Sequence, residues 1–320
     1  MKFLYFNDFR LGVLKGDQVV DIMSVVQGIP HVGPGDLING LIANFADFRA
    51  RIERAVADGS GVPLMQVKIR PPLPKPVNIE CMAVNYMEDG TLKEAAPINA
   101  FHKAPGCIIG HGDTMVLPDI PASIFEGEAE LALVIGKRAS FVPAAKAMDY
   151  VFGYTNFIDG SARGVVPPNN VFYQMKSRAT FAPIGPFLVT ADEIKDPQKL
   201  QIKLWVNGNL KQNFNTDDMA HNIKRSIEWM TAIHELEPGD LDGLVGLYVG
   251  ATAKASAVGK PLPTLDVLLE SVGVNEERRC LDVDQATIQA PTPQRSPTVR
   301  FGGPTTTTSL RAAGGSPRTI

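Results

Sequence analysis

Three glutamates, Glu126, Glu128 and Glu130, alternate along one segment of the chain, and the apolar run 131–135 follows at once. Alternate residues of a strand point to the same face, so the three carboxylates are expected side by side at the edge of a core. Neighbouring carboxylates there repel one another and lose hydration unless a cation compensates. Because hard divalent ions prefer carboxylate oxygens, the segment indicates a Mg²⁺-type site. The alternative is a set of surface glutamates that begin a strand.

A further acid ends another apolar segment. Residues 151–158 are apolar enough for a strand, and Asp159, Gly160 and Ser161 follow. Acids at strand ends are well placed to face a functional site. Two buried strands are therefore the elements that must position the candidate acids.

The wider chain divides by composition. Residues 1–70 are predicted to form a small N-terminal α+β domain, with strands at 2–6 and 18–22 and a helix at 37–57. The proline-rich stretch 70–76 is the best linker candidate. Residues 76–240 are expected to form a strand-rich domain.

Within and beyond that domain, a hairpin turn is predicted at Asn207-Gly208. Residues 218–234 have the apolar stripe of a helix, with N-cap candidates at 216–218. The fold of residues 241–284 is uncertain. Residues 285–320 are rich in Pro, Thr, Ser, Gly and Arg, which predicts a disordered tail.

Composition argues against several classes of function. The chain has 320 residues, 44% of them hydrophobic and 20% charged, which is typical of a soluble globule. A net charge of -3 gives no reason to expect nucleic acid or an anionic membrane as partner, and no apolar run approaches a bilayer span. No G-x-G-x-x-G motif supports a nucleotide-dependent oxidoreductase. Three widely spaced cysteines and the lack of a signal-peptide core favour the cytoplasm.

Several motifs occur in a fixed order: EGEAELALVIGKRA at 126–139, VFGYTNFIDGSAR at 151–163, KSRATFAPIGP at 176–186 and LEPGD at 236–240. Together with FHK at 101–103, they resemble the fumarylacetoacetate hydrolase superfamily over residues 76–240. The resemblance implies an α+β, mostly β fold. Its parts would be a mixed β-sheet or β-roll catalytic domain and the small N-terminal domain.

The resemblance also implies a metal site made by Glu128, Glu130 and Asp159. Its ion would be Mg²⁺ or Mn²⁺, with Ca²⁺ as an alternative, and Glu126 would orient a ligand just outside the metal shell. Lys176 would be a catalytic residue near the metal that pairs with substrate charge. The substrate-binding residues implied are Lys103, Arg163 and Tyr154.

The sequence departs from the family where hydrolytic members carry a His–Glu pair. Asp89 stands where the histidine is expected, and Leu92 where the glutamate is expected. Asp89 or Glu88 is one candidate for the base, and His102 or His111 is another. The third explanation is that the enzyme does not hydrolyse its substrate but decarboxylates, isomerises or dehydrates an oxo acid.

A second departure follows Asp240, where the family's T-G-T-P-like loop is replaced by LDGLVGLYVGAT. A reading-frame slip or a mis-spliced exon near Asp240 would produce such a change, which transcript sequencing across that codon tests. An alternative terminus with a different purpose is the other explanation.

The function expected from the resemblance is metal-dependent hydrolysis of a carbon–carbon bond. The substrate would be a small 2,4-dioxo acid of the acylpyruvate type, from aromatic or sugar-acid catabolism. The alternatives are an oxo-acid decarboxylase, isomerase or hydratase, and a catalytically impaired relative that still binds metal. A small-molecule partner and a homodimer are expected.

Overall fold

The computed structural model describes residues 1–87, 91–167, 172–206 and 209–244, and the backbone of 287–289. Glu88, Asp89, the Asn207-Gly208 turn and most of the predicted tail lie outside these residues. Among the described residues, no helix combines the length and apolar character needed to cross a membrane.

Strands dominate the chain. They are β1 (Lys2–Phe6), β2 (Arg10–Lys15), β3 (Gln18–Asp21), β4 (Val62–Pro63), β5 (Ile69–Arg70), β6 (Ile79–Met82), β7 (Ala100–Lys103), β8 (Ile108–Ile109), β9 (Thr114–Val116), β10 (Ile124–Ile135), β11 (Val151–Arg163), β12 (Ala182–Pro183), β13 (Leu188–Thr190), β14 (Gln201–Val206), β15 (Asn209–Asn215), β16 (Leu241–Leu244) and β17 (Thr287–Gln289). The α-helices are α1 (Met23–Val26), α2 (Pro34–Ala43), α3 (Phe45–Asp58), α4 (Phe172–Lys176) and α5 (Ile223–Ile233). The predicted class, α+β and mostly β, is confirmed.

One sheet contains strands from the N-terminal residues through β16, in the order β4-β3-β2-β1-β13-β11-β10-β16-β6-β7, with β5 paired to β1. The N-terminal strands enter it through the antiparallel β1–β13 pair. Most neighbours are antiparallel, but β16 and β6 are parallel, so the sheet is mixed. Smaller pairs are β12–β8, β14–β15 and β17–β9.

The β10–β11 pair is the longest in the sheet and is buried on both faces. Leu131 and Leu133 of β10 point into one hydrophobic core, and Ala132 and Val134 point into another. A strand covered on both faces has a continuous apolar run rather than an alternating one, which explains residues 131–135. The three glutamates continue the Ala132–Val134 face of this strand.

Two predicted helices differ from the structure. The helix predicted at 37–57 is two helices, because Asn44 leaves helical geometry and its side chain donates to the Gly40 carbonyl. Helix α5 begins at Ile223, since the Asn222 side chain accepts from the Arg225 amide, so the cap predicted at 216–218 is wrong.

The proline-rich stretch is a buried connection rather than an exposed linker. Pro71, Pro72 and Leu73 are buried. A Cβ on Gly110 would lie 2.6 Å from the Pro71 nitrogen, which shows how closely the two backbones approach. The proline-rich segment is therefore part of the core that supports the sheet.

Candidate metal centre

The register of β10 and β11 brings the predicted acids together. Glu128 lies directly opposite Asp159, and Glu130 lies one alternation further along the same face. One ligand oxygen from each of Glu128, Glu130 and Asp159 lies within 4.8 Å of the other two. All three side chains are buried, so their charges are removed from water and must be compensated within the protein.

Two buried lysines supply much of that compensation. The Lys176 Nζ, at the end of α4, donates to Asp159 Oδ2 and, over 3.0 Å, to Glu128 Oε2. The Lys103 Nζ, at the end of β7, donates to Asp159 Oδ1 over 2.6 Å. It also donates to the backbone carbonyls of Gly160 (3.0 Å) and Lys176 (2.6 Å). All three ammonium hydrogens of Lys103 therefore have partners within the protein.

Arg163 anchors the outer part of the same face. Its Nε donates to Glu126 Oε2 and its Nη2 to Glu128 Oε1, each over 2.6 Å. Glu128 is thus held between Arg163 and Lys176. Glu126 lies outside the group whose oxygens converge and fixes the guanidinium.

The charges decide the protonation of this cluster. Burial acts to raise the pKa of Asp159, but Lys103 and Lys176 outweigh it and lower that pKa to about 2. Burial acts to lower the pKa of Lys176, but Asp159 and Glu128 outweigh it and raise that pKa above its usual range. Asp159 and Lys176 are therefore both charged near neutral pH.

Glu130 is the exception. It is fully buried, and neither carboxylate oxygen has a hydrogen-bond partner among the described residues. Burial, with the nearby charges of Asp159 and Glu128, raises the pKa of Glu130 well above its ordinary value. A buried carboxylate left without a donor is costly, and a cation between these three acids would remove that cost. Because every potential metal ligand here is a carboxylate oxygen, the residues present fit a hard divalent ion such as Mg²⁺ or Mn²⁺.

Several residues that surround the three acids could hardly be recognised from the sequence. A Cβ on Gly243 of β16 would lie 2.6 Å from Glu130 Oε2, so only glycine leaves that carboxylate its present position. The signal was a glycine inside a strand. The Phe101 ring lies 4.9 Å from the Lys176 Nζ and stacks on Phe172, which covers the lysine. Gln212, buried on β15, accepts from the Ala129 amide over 2.8 Å between the two glutamates.

Other predicted site residues lie elsewhere. Tyr154 is on the opposite face of β11, against the core that contains Leu131. His102 neighbours Lys103 on β7 and therefore points to the other face of the sheet, where its side chain is 63% exposed. The structure does not bring Tyr154 or His102 to the three acids. Asp89 lies outside the described residues.

Comparison with known proteins places this geometry in a family. Residues 78–293 match the model of the fumarylacetoacetate (FAA) hydrolase C-terminal domain. A maleylpyruvate hydrolase from Aquipseudomonas alcaligenes is 34% identical, over 75% of this chain and 88% of that protein. The oxaloacetate tautomerase YisK from Bacillus subtilis (strain 168) is 36% identical, over 62% of this chain and 65% of that protein.

A solved structure agrees with the sequence relatives. It is that of maleylpyruvate hydrolase from Sphingobium sp. SYK-6 in complex with manganese(II) and pyruvate. The match has a TM-score of 0.73 and 30% identity, and it covers 91% of this chain and 98% of that one. The chain therefore belongs to the fumarylacetoacetate hydrolase superfamily, and its relatives include both hydrolases and a tautomerase.

Proposed function

We propose that this chain is a Mg²⁺- or Mn²⁺-dependent hydrolase that cleaves a carbon–carbon bond of a small 2,4-dioxo acid of the acylpyruvate type. The observation that carries the proposal is Glu130, a buried carboxylate without a described partner beside Glu128 and Asp159. The two maleylpyruvate hydrolases support it, one of them in complex with manganese(II) and pyruvate. Such a reaction belongs to the catabolism of aromatic or sugar acids.

Glu128, Glu130 and Asp159 would hold the ion. When bound, a hard divalent ion supplies Lewis-acid polarisation of a substrate carbonyl oxygen. Ca²⁺ shares the preference for oxygen ligands, so metal-dependent turnover is needed to choose among the three ions.

The chain's own cations would bind and orient the substrate. Lys176 keeps its charge and lies against two of the three acids, so it is placed to pair with a substrate carboxylate. Lys103 would act as a positioning residue, since its three donors hold Asp159 and the backbone of Gly160 and Lys176. Arg163 would hold Glu128 in the same way.

A second candidate, tautomerisation of a 2-oxo acid, is favoured by one feature of the chain. Leu92 occupies the place of the glutamate found in hydrolytic members of the family, so the usual acid–base pair is incomplete. The similarity to an oxaloacetate tautomerase points the same way. A tautomerase needs no attacking water, so the loss of this acid–base pair would not lower its activity.

Turnover of the full-length protein separates the candidates. The protein is stripped of metal, reloaded with Mg²⁺ or Mn²⁺, and offered maleylpyruvate, a simple acylpyruvate or enol-oxaloacetate. We expect metal-dependent release of pyruvate from the acylpyruvates. Metal-dependent ketonisation of oxaloacetate without pyruvate release would establish the tautomerase instead. Metal binding without either reaction would show a catalytically impaired relative.

We also propose a homodimer. Light scattering of the purified chain is expected to give twice the mass of one chain, and a single-chain mass at micromolar concentration would contradict it.

A further inference from the structure

A second group of potential ligands lies on the opposite face of the same sheet from the three acids. Glu80 of β6 and His102 of β7 are directly paired, and their side chains share a face. His234, the residue that caps the C-terminus of α5, approaches the same face. Glu80 Oε1 lies 3.2 Å from His234 Nε2 and 3.7 Å from His102 Nδ1. One ligand atom from each residue lies within 4.8 Å of the others.

This cluster is separated from the metal centre by strand alternation. Phe101 and Lys103 flank His102 on β7 and point to the other face, where the Lys103 Nζ reaches Asp159. In the same way Gly243, beside Glu130, and Asp242, beside Glu80, are neighbours on β16 but face opposite sides. The two clusters therefore share strands without sharing side chains.

The hydrogen bonding of the cluster leaves electron pairs facing one another. His234 Nδ1 lies 3.0 Å from the Glu235 carbonyl, and in the neutral tautomer it donates there, which turns the lone pair of Nε2 toward Glu80. Glu80 is only 4% exposed and has no hydrogen-bond donor on a neighbouring cationic or amide group among the described residues; its carboxyl interacts instead with the carboxyl of Asp242. A histidine whose other ring nitrogen donates to a backbone carbonyl is the usual arrangement for a metal ligand.

The surroundings add negative charge behind the cluster. Asp242 is fully buried and lies beside Glu80, and the two carboxyl groups can hydrogen-bond to each other only when one of them holds a proton. Asp240 is better satisfied, since it accepts from Asn78 and from the Glu237 amide. Burial, with repulsion from Asp242 and Asp240, raises the pKa of Glu80 to about 11. In the absence of a cation, Glu80 would therefore take up a proton.

The imidazole of His102 is suited to bind a metal as a neutral ligand. Burial, assisted by His234, lowers the pKa of His102, so its imidazole is neutral near pH 7 and offers a lone pair. The His102 side chain is 63% exposed and that of His234 35% exposed, which leaves the cluster open to solvent on one side. A metal could enter there, and water could occupy a remaining coordination position.

We propose that Glu80, His102 and His234 form a second metal site, selective for a borderline divalent ion of the Zn²⁺ class. Two imidazoles and one carboxylate match the donors that Zn²⁺ accepts. For metal–ligand bonds of about 2.0–2.1 Å, tetrahedral ligands lie about 3.3 Å apart, and the two measured distances, 3.2 and 3.7 Å, bracket that value. The bound ion would cross-link β6, β7 and the end of α5.

Zinc binding by the full-length chain tests the site. Zn²⁺ is titrated by equilibrium dialysis in saturating Mg²⁺, which keeps the three-carboxylate centre filled with a hard ion. The wild type is expected to bind one Zn²⁺ per chain. His102→Ala and His234→Ala should each weaken binding at least tenfold, because each removes one of three ligands. The control His31→Ala, which alters an exposed histidine far along the chain, should leave affinity unchanged.

Two further measurements keep the result decisive. Co²⁺ used in place of Zn²⁺ should give the intense visible absorption of a four-coordinate site, lost in His234→Ala but retained in Glu130→Gln. Thermal unfolding with and without Zn²⁺ shows whether each variant is folded and whether the ion stabilises it. The proposal is overturned if Zn²⁺ affinity is unchanged in both histidine variants, or if Glu130→Gln alone abolishes Zn²⁺ binding.

Discussion

The two buried carboxylate clusters lie on opposite faces of one sheet, and they differ in what compensates their charge. Beside Asp159 are two buried lysines, Lys103 and Lys176, and the Nζ of each donates to its carboxylate. Beside Glu80 are two imidazole nitrogens, which are cationic only when protonated. The comparison teaches that the first cluster carries its compensation permanently, whereas the second depends on an added proton or an added ion.

The largest expected effect comes from removing the permanent compensation. Lys103→Met removes the ammonium group that donates to Asp159 Oδ1 and to the carbonyls of Gly160 and Lys176. Breaking a buried ion pair from one side costs about 3–5 kcal/mol. We expect urea unfolding to show a loss of that size. Lys224→Met, at an exposed lysine of α5, serves as the control and should change stability by less than about 0.5 kcal/mol.

Removing the uncompensated acid should separate function from stability. Glu130→Gln is expected to lower turnover about a hundredfold or more, since Lewis-acid stabilisation is worth several kcal/mol. In metal-free buffer its free energy of unfolding should not fall, because a buried carboxylate without a partner is replaced by a neutral amide.

The matched control for that variant is Glu126→Gln, which affects Arg163 but not the three converging oxygens. It should lose less activity than Glu130→Gln. Equal losses of turnover in the two variants would mean that Glu130 contributes no more to activity than Glu126 does.

A smaller effect is expected from crowding the same carboxylate. Gly243→Ala places a methyl carbon 2.6 Å from Glu130 Oε2 and 3.1 Å from Cys81 Sγ. The carboxylate must move, so Mn²⁺ affinity should fall about tenfold, with a stability loss of about 1–3 kcal/mol. Gly106→Ala, where a Cβ has open space, should alter neither quantity. Unchanged Mn²⁺ affinity in Gly243→Ala would place the ion away from Glu130.

The smallest effect is expected at Asp192, a partly exposed acid with which the two buried clusters can be compared. A hydrogen bond from the Thr190 hydroxyl, with help from Arg49, lowers the pKa of Asp192. Its folded pKa is below its unfolded value near 3.8, so its contribution is present above pH 3.8 and lost as the pH falls through the folded pKa.

Because Asp192 is partly exposed, Asp192→Asn should cost less than about 1 kcal/mol at pH 7. The difference in unfolding free energy from wild type should shrink toward zero as the pH falls below 3.8. A difference that grew in acid would contradict the assigned direction.

The sequence was sufficient to predict β10, β11 and the shared face of the glutamates, because period-two alternation and an apolar run are local properties. It misplaced the start of α5, since Asn222 is one of several polar residues able to cap there. The alternation of Phe101, His102 and Lys103 was itself a readable sign that His102 and Lys103 face opposite ways.

Other features depend on contacts distant in the chain. The approach of His234 to Glu80 joins residues about 150 positions apart, and no local pattern encodes it. The unpartnered state of Glu130 follows from where Lys103 and Lys176 place their donors, which only the packed structure shows. These two features therefore depend on long-range packing, which the periodicity of the sequence cannot predict.

Strand β7 has a consequence for how the two faces communicate. Consecutive residues on it contact the two clusters, since His102 approaches Glu80 and Lys103 binds Asp159. Any backbone shift that one ion imposes on this strand reaches the other site within a single residue. Linkage then requires reciprocity: whatever factor zinc applies to manganese affinity, manganese must apply to zinc affinity. Measuring the dissociation constant of one cation at two concentrations of the other would reveal whether β7 couples the two sites.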